Sequence, residues 1–90
     1  METVESRLKE VEEFLEEGGM FFLFTETSWS DGEVSTSEIP IEAHTVPELI
    51  EFLQKEGVEN PEKAILEAFE KGRSYLGTFN GITDEYLQCS

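Results

Sequence analysis

Basic residues are scarce in this sequence. Six Lys and Arg stand against 21 Asp and Glu in 90 residues, which gives a formal net charge of -15 at pH 7. A protein surface of this sign repels nucleic acid and anionic lipid, so we expect no direct binding to either. Basic proteins are the partners that such a charge favours.

Cysteine, histidine and long apolar runs are also scarce. Cys89 and His44 are the only residues of their types, so the sequence can form neither an internal disulfide nor a zinc site built on thiolates and imidazoles. No local signature orients these two as nucleophile and base, and no glycine-rich phosphate loop with a lysine is present. The longest apolar run, residues 20–24, is far shorter than the ~20 residues of a membrane-spanning helix. With no signal-peptide pattern either, we expect a cytoplasmic, non-enzymatic protein without a metal or cofactor.

The sequence does contain enough apolar material for one core. Hydrophobic residues make up 38% of the chain and aromatic residues 11%, including seven Phe. That fraction is too high for a disordered acidic segment. We therefore expect residues 1–90 to form one small acidic domain.

The first half of the chain predicts a helix followed by a β-hairpin. Thr3 is placed to cap the helix and Gly18-Gly19 to end it. Residues 20–29 and 33–43 are extended in pattern and are separated by a Ser-Asp-Gly turn, which predicts an antiparallel hairpin. Pro40 lacks an amide donor, so the second strand is expected at the sheet edge. The apolar positions of the helix recur at spacings of four, three and four: Val4, Leu8, Val11 and Leu15.

The second half predicts two further helices and a third strand. Thr45 caps one helix, Asn60 caps the next, and residues 74–79 have the composition of a strand. Residues 82–88 fit either a returning strand or a short C-terminal helix capped by Thr83, and the helix is favoured. The order α-β-β-α-α-β predicts a two-layer α+β domain, with helices packed on an antiparallel sheet of about three strands.

Charge is distributed unevenly among the predicted helices. On the second helix Glu51 precedes Lys55 by four residues, a favourable spacing. The second half of the first helix has carboxylates and no cation, although each like-charge pair at helical spacing costs about 0.2–0.5 kcal/mol and the C-terminal end of a helix favours cations. Like-charge repulsion that no contact within the chain offsets indicates a surface whose repulsion is offset by a bound partner. These carboxylates belong to Glu10, Glu12, Glu13, Glu16 and Glu17.

The functional hypothesis is that this acidic half of the chain binds a basic protein. Rows of carboxylates approximate the phosphates of nucleic acid, so the protein would act as an inhibitor or regulator that docks on a nucleic-acid-binding surface. One alternative is a small acidic regulatory subunit, or an antitoxin-like module, that binds a partner through its hydrophobic hairpin. Another is that the acidity serves solubility alone. The predicted partner-binding residues are Glu10, Glu12, Glu13, Glu16, Glu17, Glu26, Trp29, Asp31 and Glu33.

Overall fold

The computed structural model describes residues 3–90, which form three helices and one four-stranded antiparallel sheet. The sheet order is β2-β1-β4-β3, and the helices pack on one face of the sheet. This arrangement confirms the predicted α+β class with an antiparallel sheet. The elements are α1 (Val4–Glu16), β1 (Phe21–Ser28), β2 (Val34–Ile41), α2 (Val46–Lys55), α3 (Pro61–Lys71), β3 (Arg73–Phe79) and β4 (Thr83–Cys89).

Each helix begins at the cap that the sequence predicts. The side-chain oxygens of Thr3, Thr45 and Asn60 accept hydrogen bonds from backbone N–H groups in the first turns of α1, α2 and α3, at 3.1, 3.4 and 3.3 Å. These bonds satisfy donors that have no partner within the helix. The capping side chain therefore determines where each of the three helices begins.

The predicted hairpin is present. Strands β1 and β2 pair from Phe21 opposite Ile41 to Ser28 opposite Val34. Strand β2 is an edge strand, as expected from Pro40, because an edge position tolerates a residue without an amide donor. Residues 31–40 are all exposed.

The predicted C-terminal helix is wrong, because residues from Thr83 onward form β4. This strand lies between β1 and β3 and is antiparallel to both, so the sheet has four strands rather than about three. Asn80 and Gly81 have φ of 44° and 77°, which suits the tight turn that joins β3 to β4. Pairing along both edges of the strand outweighs the local helix signal of Thr83 and the acids that follow it.

One core joins the three helices to the near end of the sheet. Phe14 of α1 packs edge-to-face against Phe21 and Phe69, with ring centroids 5.8 and 5.5 Å away. The β1–β2 hairpin extends beyond this core, and the molecule measures 46 × 25 × 23 Å. Within residues 3–90, no helix has both the length and the apolar character to cross a membrane. The largest fully buried side chains are those of Phe21, Leu23, Ile41, Leu49, Leu53, Ile65, Leu87 and Val11.

Candidate protein-binding face

The face of the sheet opposite the helices is open. On β1, Phe21 and Leu23 point into the core, so the alternating residues Phe22, Phe24 and Glu26 lie on the open face. All three are partly exposed. The strand therefore presents aromatic rings to solvent as well as to the core.

Four aromatic side chains lie on this face as two ring pairs on neighbouring strands. Phe24 lies opposite Tyr86 in the β1–β4 pair, and Tyr86 lies opposite Tyr75 in the β4–β3 pair. The ring centroids of Tyr75 and Tyr86 are 5.6 Å apart, and those of Phe22 and Phe24 are 6.5 Å apart. We call Phe22, Phe24, Tyr75 and Tyr86 the aromatic face. An exposed aromatic group that spans three strands is typical of a protein interaction surface.

A row of carboxylates borders the aromatic face toward the hairpin tip. Glu26 lies directly opposite Asp84 across the β1–β4 pair, a like-charge arrangement that destabilises a sheet. Glu38 pairs with Phe24 and is therefore a diagonal neighbour of Glu26. No Lys or Arg of residues 3–90 makes an ion pair with any of the three. We call Glu26, Glu38 and Asp84 the acidic rim.

The aromatic face already holds one cation. The guanidinium carbon of Arg73 lies 3.5 Å from the centroid of the Tyr86 ring, a cation–π contact. Arg73 is the only basic residue on the strands within residues 3–90. The Tyr86 ring of the aromatic face therefore stacks with a guanidinium group.

The predicted carboxylates of α1 lie away from the open face, in the helical layer. Glu10, Glu13, Glu16 and Glu17 are exposed. Glu12 is partly buried, and its Oε2 accepts a hydrogen bond from the backbone N–H of Val46 at 3.3 Å. Glu12 thus places a negative charge at the N-terminus of α2, where the helix dipole favours it.

The predicted residues of the hairpin form a third group. Trp29 is 51% exposed, and its indole N–H donates to Ser35 Oγ at 3.0 Å. The Asp31 carboxylate accepts from the backbone N–H of Glu33 at 3.1 Å and closes the turn. At ~3.4 Å per residue, the end of β1 at Ser28 lies about 24 Å from Phe21, and the tip lies beyond it. The structure therefore separates the nine predicted residues into the α1 carboxylates, the hairpin tip and Glu26 of the acidic rim.

Sequence reasoning missed most of the open face. Phe22 and Phe24 are partly exposed and Tyr75 is 56% exposed, but none of the three is among the predicted partner-binding residues. The helix favoured for residues 82–88 gives Asp84 and Tyr86 no place in a sheet. The alternation of Phe22 and Phe24 with core residues was the available signal for an exposed aromatic row.

Comparisons with protein-family models, with curated proteins and with solved structures found no match. The surface itself is therefore the basis for a functional argument. Within the described part of the chain, no group of three or more His, Cys, Asp or Glu side chains is placed to hold a metal ion.

The like-charge repulsion on α1 has a measurable consequence. We expect Glu17→Lys to raise the free energy of unfolding by about 0.5–1.5 kcal/mol, because a lysine there pairs with Glu13 and places a cation at the helix C-terminus. Thermal unfolding followed by circular dichroism measures the gain. As a control, Glu5→Lys puts the same charge change in the first turn of α1 and should lower stability. Equal effects from both substitutions would contradict the explanation.

Proposed function

We propose that this protein is a non-enzymatic inhibitor or regulator that docks on a basic, nucleic-acid-binding surface of a partner protein. The observation that carries the proposal is the juxtaposition of the aromatic face with an acidic rim that has no ion-pair partner among residues 3–90. Exposed rings supply an apolar centre for an interface, and carboxylates beside them select a partner of opposite charge.

The same juxtaposition supports competition with nucleic acid. Proteins that bind single strands combine basic grooves, which track phosphates, with side chains that stack on bases. The aromatic face offers rings in place of bases, and the acidic rim offers carboxylates in place of phosphates. A partner arginine would stack on Phe24 as Arg73 stacks on Tyr86, while Glu26 and Asp84 neutralise the neighbouring cations.

The α1 carboxylates have a different part in this proposal. They provide charge without an apolar centre, so they attract a basic partner at long range and accelerate its association. Substituting Glu10, Glu13 and Glu17 by Gln should lower the association rate and its dependence on salt, with little change in the dissociation rate. Substitutions on the aromatic face should instead accelerate dissociation.

Isolation of the partner followed by a competition measurement tests the proposal. Nuclease-treated host extract is passed over the immobilised protein at low salt, and proteins that elute as salt rises are identified and purified. The purified partner should then bind either this protein or an oligonucleotide, and never both together. A stable ternary complex, or an affinity that salt does not change, would overturn the proposal. So would the absence of any partner that binds through the open face, which is the outcome expected if the acidity serves solubility alone.

Substitutions with opposite expected effects make the interface testable at residue level. Glu26→Gln with Asp84→Asn should weaken partner binding about tenfold, because two cations of the partner lose their counter-charges. Arg73→Gln should strengthen it several-fold by removing the one cation from the open face. Calorimetry with the purified partner measures both. The control, Glu51→Gln with Glu62→Gln, removes the same charge from α2 and α3, and an equal loss there would refute the interface.

A second candidate is the small regulatory or antitoxin-like module that binds through its hairpin. Trp29, Val34 and Ile39 are 51%, 58% and 46% exposed, and β2 has a free edge that another strand could extend. Binding in this mode would be insensitive to salt and to the acidic rim substitutions. It would be lost when Val34 and Ile39 are both replaced by Thr.

A further inference from the structure

A groove of about 370 Å³ lies at the β3 edge of the sheet, between this edge and the helices, and Tyr75 of the aromatic face is part of its lining. The turn between α2 and α3 forms one wall, β3 forms the other, and α3 and β4 contribute between them. Val58 and Leu76 supply apolar surface, and Glu85 of β4 lines the groove as well. The groove is open to solvent, so a ligand can enter without a change of fold.

Glu85 is an unusual residue in this position. It is only 8% exposed, and no residue within 3–90 donates a hydrogen bond or an ion pair to its carboxylate. Burial raises the pKa of Glu85 above its ordinary value, and the nearby charge of Glu56 raises it further. Glu67 in the same groove has a partner, since Ser74 Oγ donates to its Oε2 at 3.2 Å. The Glu85 side chain is largely withdrawn from water and its carboxylate has no partner among residues 3–90, so a cation that enters the open groove would stabilise its charged form.

The charges around Glu85 determine the sign of that partner. Glu56, Glu59 and Glu67 also line the groove, and Lys63 is its only cation. These charges favour a cationic ligand. A metal ion is disfavoured, because it requires several oxygen ligands that converge and no such group exists among residues 3–90.

We propose that this groove binds an alkylammonium group, with the ammonium against Glu85 and the methylene chain along Val58 and Leu76. A lysine side chain and a free polyamine share this chemistry: a compact charge at the end of an apolar stem. Tyr75 lines both this groove and the aromatic face, but Glu85, Val58 and Leu76 belong to neither the aromatic face nor the acidic rim. Binding at Glu85 can therefore be tested separately from the function proposed above.

Stability and binding should respond to Glu85 in opposite directions. Because its pKa is raised in the folded state, the unfolded chain ionises first as pH rises. Stability is therefore lost from about the ordinary pKa of 4.5 up to the folded value, and the loss persists at pH 7. Glu85→Gln should thus keep or raise the melting temperature at pH 7 while it removes the ammonium site. A carboxylate that served only to hold the fold would do the reverse.

Titration followed by amide NMR shifts tests the site with two probes, N-acetyl-lysine amide and spermidine. Each should give saturable shifts at Ser74, Leu76 and Glu85, and Glu85→Gln should weaken binding at least tenfold. Tighter binding of spermidine would identify a free polyamine as the ligand, and tighter binding of the lysine amide would identify a lysine side chain. Glu62→Gln, which removes the same charge from α3 outside the groove, should leave the affinity unchanged.

Two results would overturn the site. One is equal weakening by Glu85→Gln and Glu62→Gln, with shifts that spread over the α1 carboxylates without saturation, because general attraction to an acidic surface predicts this. The other comes from Val58→Lys, which places a tethered ammonium at the groove wall and should block both probes. Unchanged affinity in that variant would exclude the groove even if Glu85→Gln failed to fold.

Discussion

Removal of residues 83–90 should unfold the protein. These residues contain β4, which pairs with β1 on one side and β3 on the other, so deletion breaks two ladders in the middle of the sheet. It also removes Leu87, which is fully buried in the core. Leu87→Ala alone should cost about 2–5 kcal/mol, a large part of the ~5–15 kcal/mol that stabilises an ordinary domain.

Denaturant unfolding followed by circular dichroism and tryptophan fluorescence measures both changes. The matched control is Ile82→Ala, which removes apolar side-chain atoms one residue before β4 from a side chain that is 46% exposed. It should cost no more than about 0.5 kcal/mol, as is usual for surface substitutions. If Leu87→Ala and Ile82→Ala were equally costly, the central position of β4 would be refuted.

Gly19→Val should destabilise the protein by about 3 kcal/mol, near the upper end of the usual cost of overpacking. A Cβ at this position would lie 2.5 Å from Cε1 and Cε2 of Phe14 and closer still to Cζ. The Phe14 ring cannot easily move away from this Cβ, because Phe21 and Phe69 pack against it edge-to-face. Gly19 is therefore required by the aromatic ring next to it, rather than by the backbone.

Two further variants separate this explanation from a backbone effect. Gly18→Ala introduces a side chain where φ is +97° but no atom lies within 4 Å, so it should cost only about 1 kcal/mol for conformational strain. Gly19→Val combined with Phe14→Leu should be less destabilised than the sum of the two single changes, since the smaller side chain relieves the overlap. Additive losses in thermal unfolding would show that Phe14 is not the obstacle.

The elements that the sequence predicts correctly depend on short-range contacts. Thr3, Thr45 and Asn60 cap helices through bonds to residues three positions away. The turn at residues 30–32 likewise joins strands that are adjacent in sequence. Strand β4 depends instead on contacts such as Phe21 with Cys89, which no local pattern reveals.

The candidate sites were less predictable for the same reason. The exposed α1 carboxylates follow from helical spacing, but the bond from Val46 to Glu12 joins residues 34 positions apart. The aromatic face requires the register of β4 against both of its neighbours, and Glu85 lies on the groove side only because that register fixes which residues of β4 face the helices. Because the sequence favours a helix in place of β4, it predicts neither the aromatic face nor the groove at Glu85.

Strand β1 is supported by helices along only half of its length. Phe21 and Leu23 are buried, Thr25 and Thr27 are partly exposed, and Ser28 is exposed. Local opening costs least where few apolar contacts hold a segment, so amide hydrogens near the hairpin tip should exchange before those beneath the aromatic face. The acidic rim lies at the boundary between the part of the sheet that the helices support and the unsupported hairpin. A partner bound at the acidic rim would contact the stable part of the sheet on one side and the flexible hairpin on the other. The hairpin could then adjust to the partner's shape without disturbing the core.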